Sequence, residues 1–220
     1  MAFNGPTACM ALVAMTDPQP IRPASSVLVW RKLGGQVEVL CGVRNPNMAF
    51  AGGQIVFPGG RLERGDAHTK SATALGANTR KCLQHESRHS PEGLAQAGLR
   101  ELMEETGLVV GQYTEEGSKL RLRGDFASLE FLSRAITPPR NTRRYDARFF
   151  ALPMDAVTDQ VPALEHHEFV ALDYRPVAEL LDGKLMPPTR LALMQLGDHL
   201  QGQLVPKMLK GPKNIYPITV

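Results

Sequence analysis

Apolar positions near the start of the chain fall into two runs, Ser25 to Leu33 and Val37 to Arg44, rich in β-branched residues and parted by Gly34-Gly35. That pattern predicts two strands joined as a hairpin. A loop over 45–53 leads into a third short strand, Gln54-Ile55-Val56-Phe57. After Ser90 the period changes. Ala95, Leu99, Leu102 and Met103 recur at i, i+4, i+7 and i+8, the spacing of an amphipathic helix. Ser90 and Pro91 supply its N-cap and first helical residue, and Gly107 stands where a left-handed C-terminal cap belongs. Beyond it, Leu108 to Val110 reads as a short strand and residues 115–118 as a polar turn. Asp125 to Ala135 reads as a helix, and Tyr145 to Pro153 and Phe169 to Tyr174 as strands. Helices are expected at Pro176 to Leu181 and Pro187 to Gln201. The tail from Val205 carries no pattern. Residues 1–24 hold Pro18, Pro20 and Pro23 with little periodicity, which predicts an N-terminal arm ahead of one domain over 25–220.

Composition narrows the class. With 220 residues and 43% hydrophobic content, the chain can bury one adequate core. No apolar run approaches the roughly 18 residues that a membrane helix needs, and Ala8 to Met15 lacks the basic segment of a signal peptide. The net charge of +3 suits anionic small molecules, while no dense basic tract speaks for nucleic acid. Cys9, Cys41 and Cys82 are odd in number and form no CxxC pair, the usage of reduced thiols in a cytoplasmic protein.

The helix carries the chemistry. Glu101, Glu104 and Glu105 lie at i, i+3 and i+4 and project from one face. Like charges at this spacing repel by roughly 0.2–0.5 kcal/mol per pair, and Arg100, the nearby cation, offsets only part of that. A hard divalent cation such as Mg²⁺ or Mn²⁺, which takes oxygen ligands, would reverse the sign. The other reading is a solvated acidic face. Upstream, the strand ending at Phe57 runs into Pro58-Gly59-Gly60, and paired glycines let a backbone approach a ligand closely.

Gly60-x5-Asp66 followed by Arg100-Glu101-Leu102-x-Glu104-Glu105-x-Gly107-Leu108 resembles the Nudix box, Gly-x5-Glu-x7-Arg-Glu-aliphatic-x-Glu-Glu-x-Gly-aliphatic. Two features depart from it. Asp66 replaces the usual Glu, and residues 67–99 fill a gap where the signature has seven. The long gap resembles the branch that includes the peroxisomal coenzyme A diphosphatase, as do the stretches Thr137 to Phe150 and Leu185 to Thr189. Arg44 and Gly53 to Gly60 look like a degraded version of that branch's upstream motif, or like a plain strand–loop–strand connection. The resemblance implies an α/β/α sandwich with a mixed β-sheet and an insertion at 67–92. It also implies metal-dependent hydrolysis of a pyrophosphate bond in a nucleoside diphosphate linked to another group, with coenzyme A or an acyl-coenzyme A foremost. Alternatives are ADP-ribose, an NADH-type dinucleotide, or a non-catalytic nucleotide-binding role.

The site residues that follow are these. Gly59, Glu101, Glu104 and Glu105 hold Mg²⁺ or Mn²⁺, Arg100 orients the glutamates, and Glu104 or Glu168 acts as general base. Glu165 is second to Glu168. Arg44 and the Arg140, Arg143 and Arg144 group are candidates for substrate phosphates, since the guanidinium fork matches phosphate oxygens; a solvated edge is the other reading of the group. Cys82, His85 and His89, with His68 upstream, have the residue types of a zinc site but not a standard spacing. A helical excursion over the active site, or one contributing to a homodimer, is the broader expectation for 67–92.

Overall fold

A computed structural model of the chain describes residues 20–48, 51–116, 119–139, 141, 143–164 and 168–220. The hairpin forms as the pattern predicts: β1 (Ile21–Leu33) and β2 (Gln36–Arg44) pair antiparallel, with Leu33 opposite Gln36 across the two glycines. β3 (Ile55–Val56) pairs with β2, and β4 (Gly59–Arg61) with β1. A short helix, α1 (Ala77–Gln84), precedes the long α2 (Pro91–Thr106). Then come β5 (Leu108–Val109) and the hairpin of β6 (Gly111–Glu116) with β7 (Lys119–Gly124). β8 (Glu130–Ile136), β9 (Arg144–Pro153), β10 (Asp159–Gln160) and β11 (Phe169–Pro176) follow. The chain ends with α3 (Val177–Asp182), α4 (Pro187–Leu200), β12 (Lys207–Lys210) and β13 (Asn214–Pro217).

The main sheet runs β11-β2-β1-β9-β8-β12-β13, with β3 and β4 as side pairings. It is mixed: β1 with β9 and β8 with β12 are parallel, the rest antiparallel. Successive side chains on a strand face opposite ways, and on β1 this sorts the core into two layers. Val27 and Val29 join Leu94, Leu99, Leu102 and Met103 of α2 on one face. Leu28 joins Leu191, Ala192 and Leu196 of α4 on the other. The result is the expected α/β/α arrangement.

One expectation fails. Asp125 to Ala135 is not a helix: residues 130–136 are the strand β8, in the middle of the sheet. Phe131 to Ala135 are all buried because both faces of β8 are covered, so the alternation that marks a strand is missing. The tail, whose sequence carries no pattern, supplies β12, which lies parallel to β8 and buries Met208 and Leu209. Four residues give periodicity too little to work with.

The caps of α2 form as predicted. Ser90 Oγ accepts from the Gly93 N–H at 3.2 Å, and Gly107 closes the helix at φ 77° with its N–H on the Met103 carbonyl at 2.9 Å. A Cβ at Gly107 would run into the backbone carbonyl of Val161. Gly107→Ala is therefore expected to lower stability by about 1–3 kcal/mol, read as a fall in the urea midpoint with an unchanged slope.

Candidate active site

The site forms where β4 crosses the C-terminal half of α2. Ser26 pairs with Gly59, Ser25 with Gly60 and Ala24 with Arg61, and the Val27 N–H donates to the Pro58 carbonyl at 2.9 Å. This fixes the Phe-Pro-Gly-Gly turn against the edge of β1. The Glu101 carboxylate lies over Gly60, where a Cβ would push it aside, and a Cβ at Gly59 would run into the backbone of Ser25 and Ser26. One residue earlier, the Gly59 N–H donates to Glu105 Oε2 at 2.8 Å. Two segments 46 residues apart thus meet at hydrogen-bond distance.

Arg100 is the centre of the arrangement. Its Nε and Nη2 donate to the two carboxylate oxygens of Asp66 at 2.9 and 3.2 Å, and Nη2 also donates to the Arg61 carbonyl at 3.0 Å. Its Nη1 reaches both Glu101 Oε1 and Glu104 Oε2 at 3.0 Å. Burial works against the guanidinium's charge, but these three carboxylates outweigh it and push its pKa up. This one side chain bridges two of the three helix carboxylates. Asp66 is almost wholly buried and also accepts from the Glu63 N–H at 2.8 Å, which holds the 62–66 turn in shape. Sequence reasoning passed over Asp66 as a departure from a signature; its signal was that it fills a position the signature already marks.

Glu105 is buried, and burial first, then its hydrogen bond to Glu168, pushes its carboxyl well above the usual carboxylate range. Glu168 sits just before β11 and is held by Arg44, whose Nη1 and Nη2 donate to its two oxygens at 2.8 and 3.2 Å. The Asn45 N–H on the Glu168 carbonyl at 2.8 Å ties the same two segments through their backbones. Arg44 therefore grips Glu168, a pairing across 124 residues that no local signal announces. Glu165 and Arg140 lie outside the described residues. Arg143 is exposed, and Arg144 donates from Nε to the Thr137 carbonyl at 3.4 Å.

Five carboxyl groups, Asp66, Glu101, Glu104, Glu105 and Glu168, gather around the guanidiniums of Arg44 and Arg100, which leaves the site short of positive charge. A divalent cation matches that deficit, and half-buried carboxylates are the hard donors Mg²⁺ or Mn²⁺ takes. Among the described residues, though, no three acidic, histidine or cysteine side chains stand as a ready metal cage. Glu101 and Glu104 each give one carboxylate oxygen to Arg100, and Glu105 gives one to the Gly59 N–H.

Residues 67–90 leave from Asp66 and run beside α2 to its N-terminus. Thr73 Oγ1 bonds Asp125 at 2.6 Å, and Arg80 pairs with Glu92. Beyond α1, the carbonyls of His85 and Glu86 accept from Arg134, which is itself paired with the buried Asp146. The segment thus packs against the N-terminal half of α2 and β8, while the carboxylates occupy the C-terminal half. Cys82 is buried in the core below α2, which takes its thiol out of any zinc site with His85 and His89.

Comparison with protein-family models and with curated proteins gives no match. Solved structures do match. A NUDIX hydrolase from Alicyclobacillus acidocaldarius superposes with a TM-score of 0.60 at 24% identity, over 82% of this chain and 91% of that one. The NUDIX domain of NrtR from Shewanella oneidensis, complexed with ADP ribose, gives 0.51 at 16% identity, over 85% and 95%. The fold is that of the Nudix hydrolases. Within that Nudix fold the sheet, α2 and the loop before it are the elements described above, and the α/β/α architecture expected from the split box is borne out.

Proposed function

We propose that the protein is a metal-dependent Nudix hydrolase that cleaves the pyrophosphate bond of a nucleoside diphosphate linked to another group. One observation carries this reading: the Gly59 N–H on Glu105, which joins the two parts of the split box into one site. Glu101, Glu104 and Glu105, with the Gly59 carbonyl, would hold Mg²⁺ or Mn²⁺. When bound, the cation supplies positive charge to the diphosphate oxygens and the departing phosphate. Arg100 presents Glu101 and Glu104 from one guanidinium and keeps the 61–66 turn under them. Glu168, steadied by the Arg44 fork, accepts the proton of the attacking water. Glu104 is the alternative acceptor, being as solvent-accessible as Glu168 but on the helix.

Coenzyme A or an acyl-coenzyme A is the foremost substrate, on the resemblance of the split box and of the 137–150 and 185–189 stretches. ADP-ribose or an NADH-type dinucleotide is the second reading, favoured by the ADP ribose in the NrtR domain of the same fold. A panel of these compounds with Mg²⁺ or Mn²⁺, read by product mass, is the test. The expected result is two phosphate-bearing products from coenzyme A, and in ¹⁸O-labelled water the fragment that gains the label names the phosphorus attacked. Turnover of ADP-ribose but not coenzyme A would displace the first reading. Nucleotide binding without metal-dependent release would leave only a binding protein.

A further inference from the structure

Arg22, Arg61 and Arg64 line one open cleft of about 810 Å³, together with Pro23, Leu62 and Glu63. The backbone under them is pinned from both sides. Arg61 pairs with Ala24, the Leu62 N–H donates to the Pro23 carbonyl at 3.0 Å, and Asp66 holds the Glu63 N–H. All three arginines are exposed, and none forms an ion pair among the described residues. Glu63 is the one carboxylate in the lining, so the cleft is positive by two charges.

A solvated face is the usual fate of exposed arginines. These three, however, converge on a concavity, where low-dielectric walls focus the field and favour an anion. The cleft is of a size that takes a small molecule, and guanidinium forks match phosphate oxygens. Its place matters as much as its charge. Gly60 faces Glu101 and α2, and strand alternation turns the next residue, Arg61, to the other face of β4. The Arg61 carbonyl nevertheless touches Arg100. The cleft therefore opens beside the carboxylates rather than among them, out of place for the diphosphate being cleaved but within reach of the rest of the same molecule.

We propose that Arg22, Arg61 and Arg64 bind a phosphate monoester carried by the substrate outside its diphosphate, and so select nucleotides that bear this extra phosphate. The inference rests on the reading given under Proposed function, and binding to the metal-free protein separates the two. Calorimetry would compare adenosine 3′,5′-bisphosphate with adenosine 5′-monophosphate on the wild type and on the Arg22→Ala/Arg64→Ala double variant. The bisphosphate is expected to bind the wild type about tenfold tighter, the effect of one charge-assisted hydrogen bond, and this advantage should vanish in the variant. In turnover, the kcat/KM ratio of coenzyme A over dephospho-coenzyme A should fall by a similar factor. Equal binding of the two nucleotides by the wild type, or equal loss of both in the variant, overturns the cleft. If the arginine-dependent preference holds yet no substrate is hydrolysed, the cleft stands and the enzyme reading falls. If hydrolysis proceeds without preference for the extra phosphate, the reverse is true.

Discussion

Arg100→Ala is expected to lower the unfolding free energy by about 3 kcal/mol, or roughly 6–12 °C in Tm for a chain of this size. The size of the effect comes from Asp66, not from the surface charges. Asp66 is buried and takes both its guanidinium bonds from Arg100, so the alanine variant strands a carboxylate out of water. Glu101 and Glu104 would at the same time lose the donor they share, and their repulsion on the helix would return. Asp66→Asn in the Arg100→Ala background should recover part of the loss, since a neutral amide is cheaper to bury than an unpaired charge. Thermal melts of the two variants without added metal check this. A fall in Tm too small to measure, or no recovery in the double variant, would show that Asp66 is not held by Arg100.

Glu105→Gln should do the opposite, sparing the fold and removing activity. The glutamine carbonyl can still accept from the Gly59 N–H, and its amide can donate to Glu168, so both contacts of the protonated acid are kept. Tm is expected to stay level or rise slightly. Turnover is expected to fall by about 10²–10³-fold, because a neutral amide cannot become the anionic oxygen ligand that a hard cation prefers. Initial rates at saturating Mg²⁺ or Mn²⁺, with melts run with and without metal, separate the two effects. Metal should raise the Tm of the wild type and not of the variant. Near-normal turnover in Glu105→Gln would remove this residue from the ligand set.

How much of this could be read from the residues depends on how far apart the partners lie. Ser90, Pro91 and Gly107 announced the ends of α2 because caps are local chemistry, and the hairpin at Gly34-Gly35 was legible for the same reason. The junction of Gly59 with the glutamate helix was legible only through a signature that records a contact across the fold. The contact of Arg44, a candidate for substrate phosphate, with Glu168 has no local signal, because β11 returns alongside β2 and brings the two together. β8 was misread as a helix for a different reason: burial on both faces erases the period that identifies a strand. The basic cleft escaped notice because Arg22 and Arg64 belong to separate segments that only the pairing of β1 with β4 makes neighbours.

The excursion between Asp66 and Pro91 departs from one side of α2 and rejoins at the helix's far end, fastened on the way by Arg134 to the carbonyls of His85 and Glu86. Both of its ends are clamped by the fold, so its contour is uncoupled from the chemistry. Doubling such a loop costs only about 0.6 kcal/mol of closure entropy. Insertions should therefore be accommodated at its exposed turn around Glu86 to Arg88 but not across Leu75, Cys82 and Leu83, whose side chains are part of the core, while a single added residue between Gly59 and Asp66 would throw the catalytic geometry out of register.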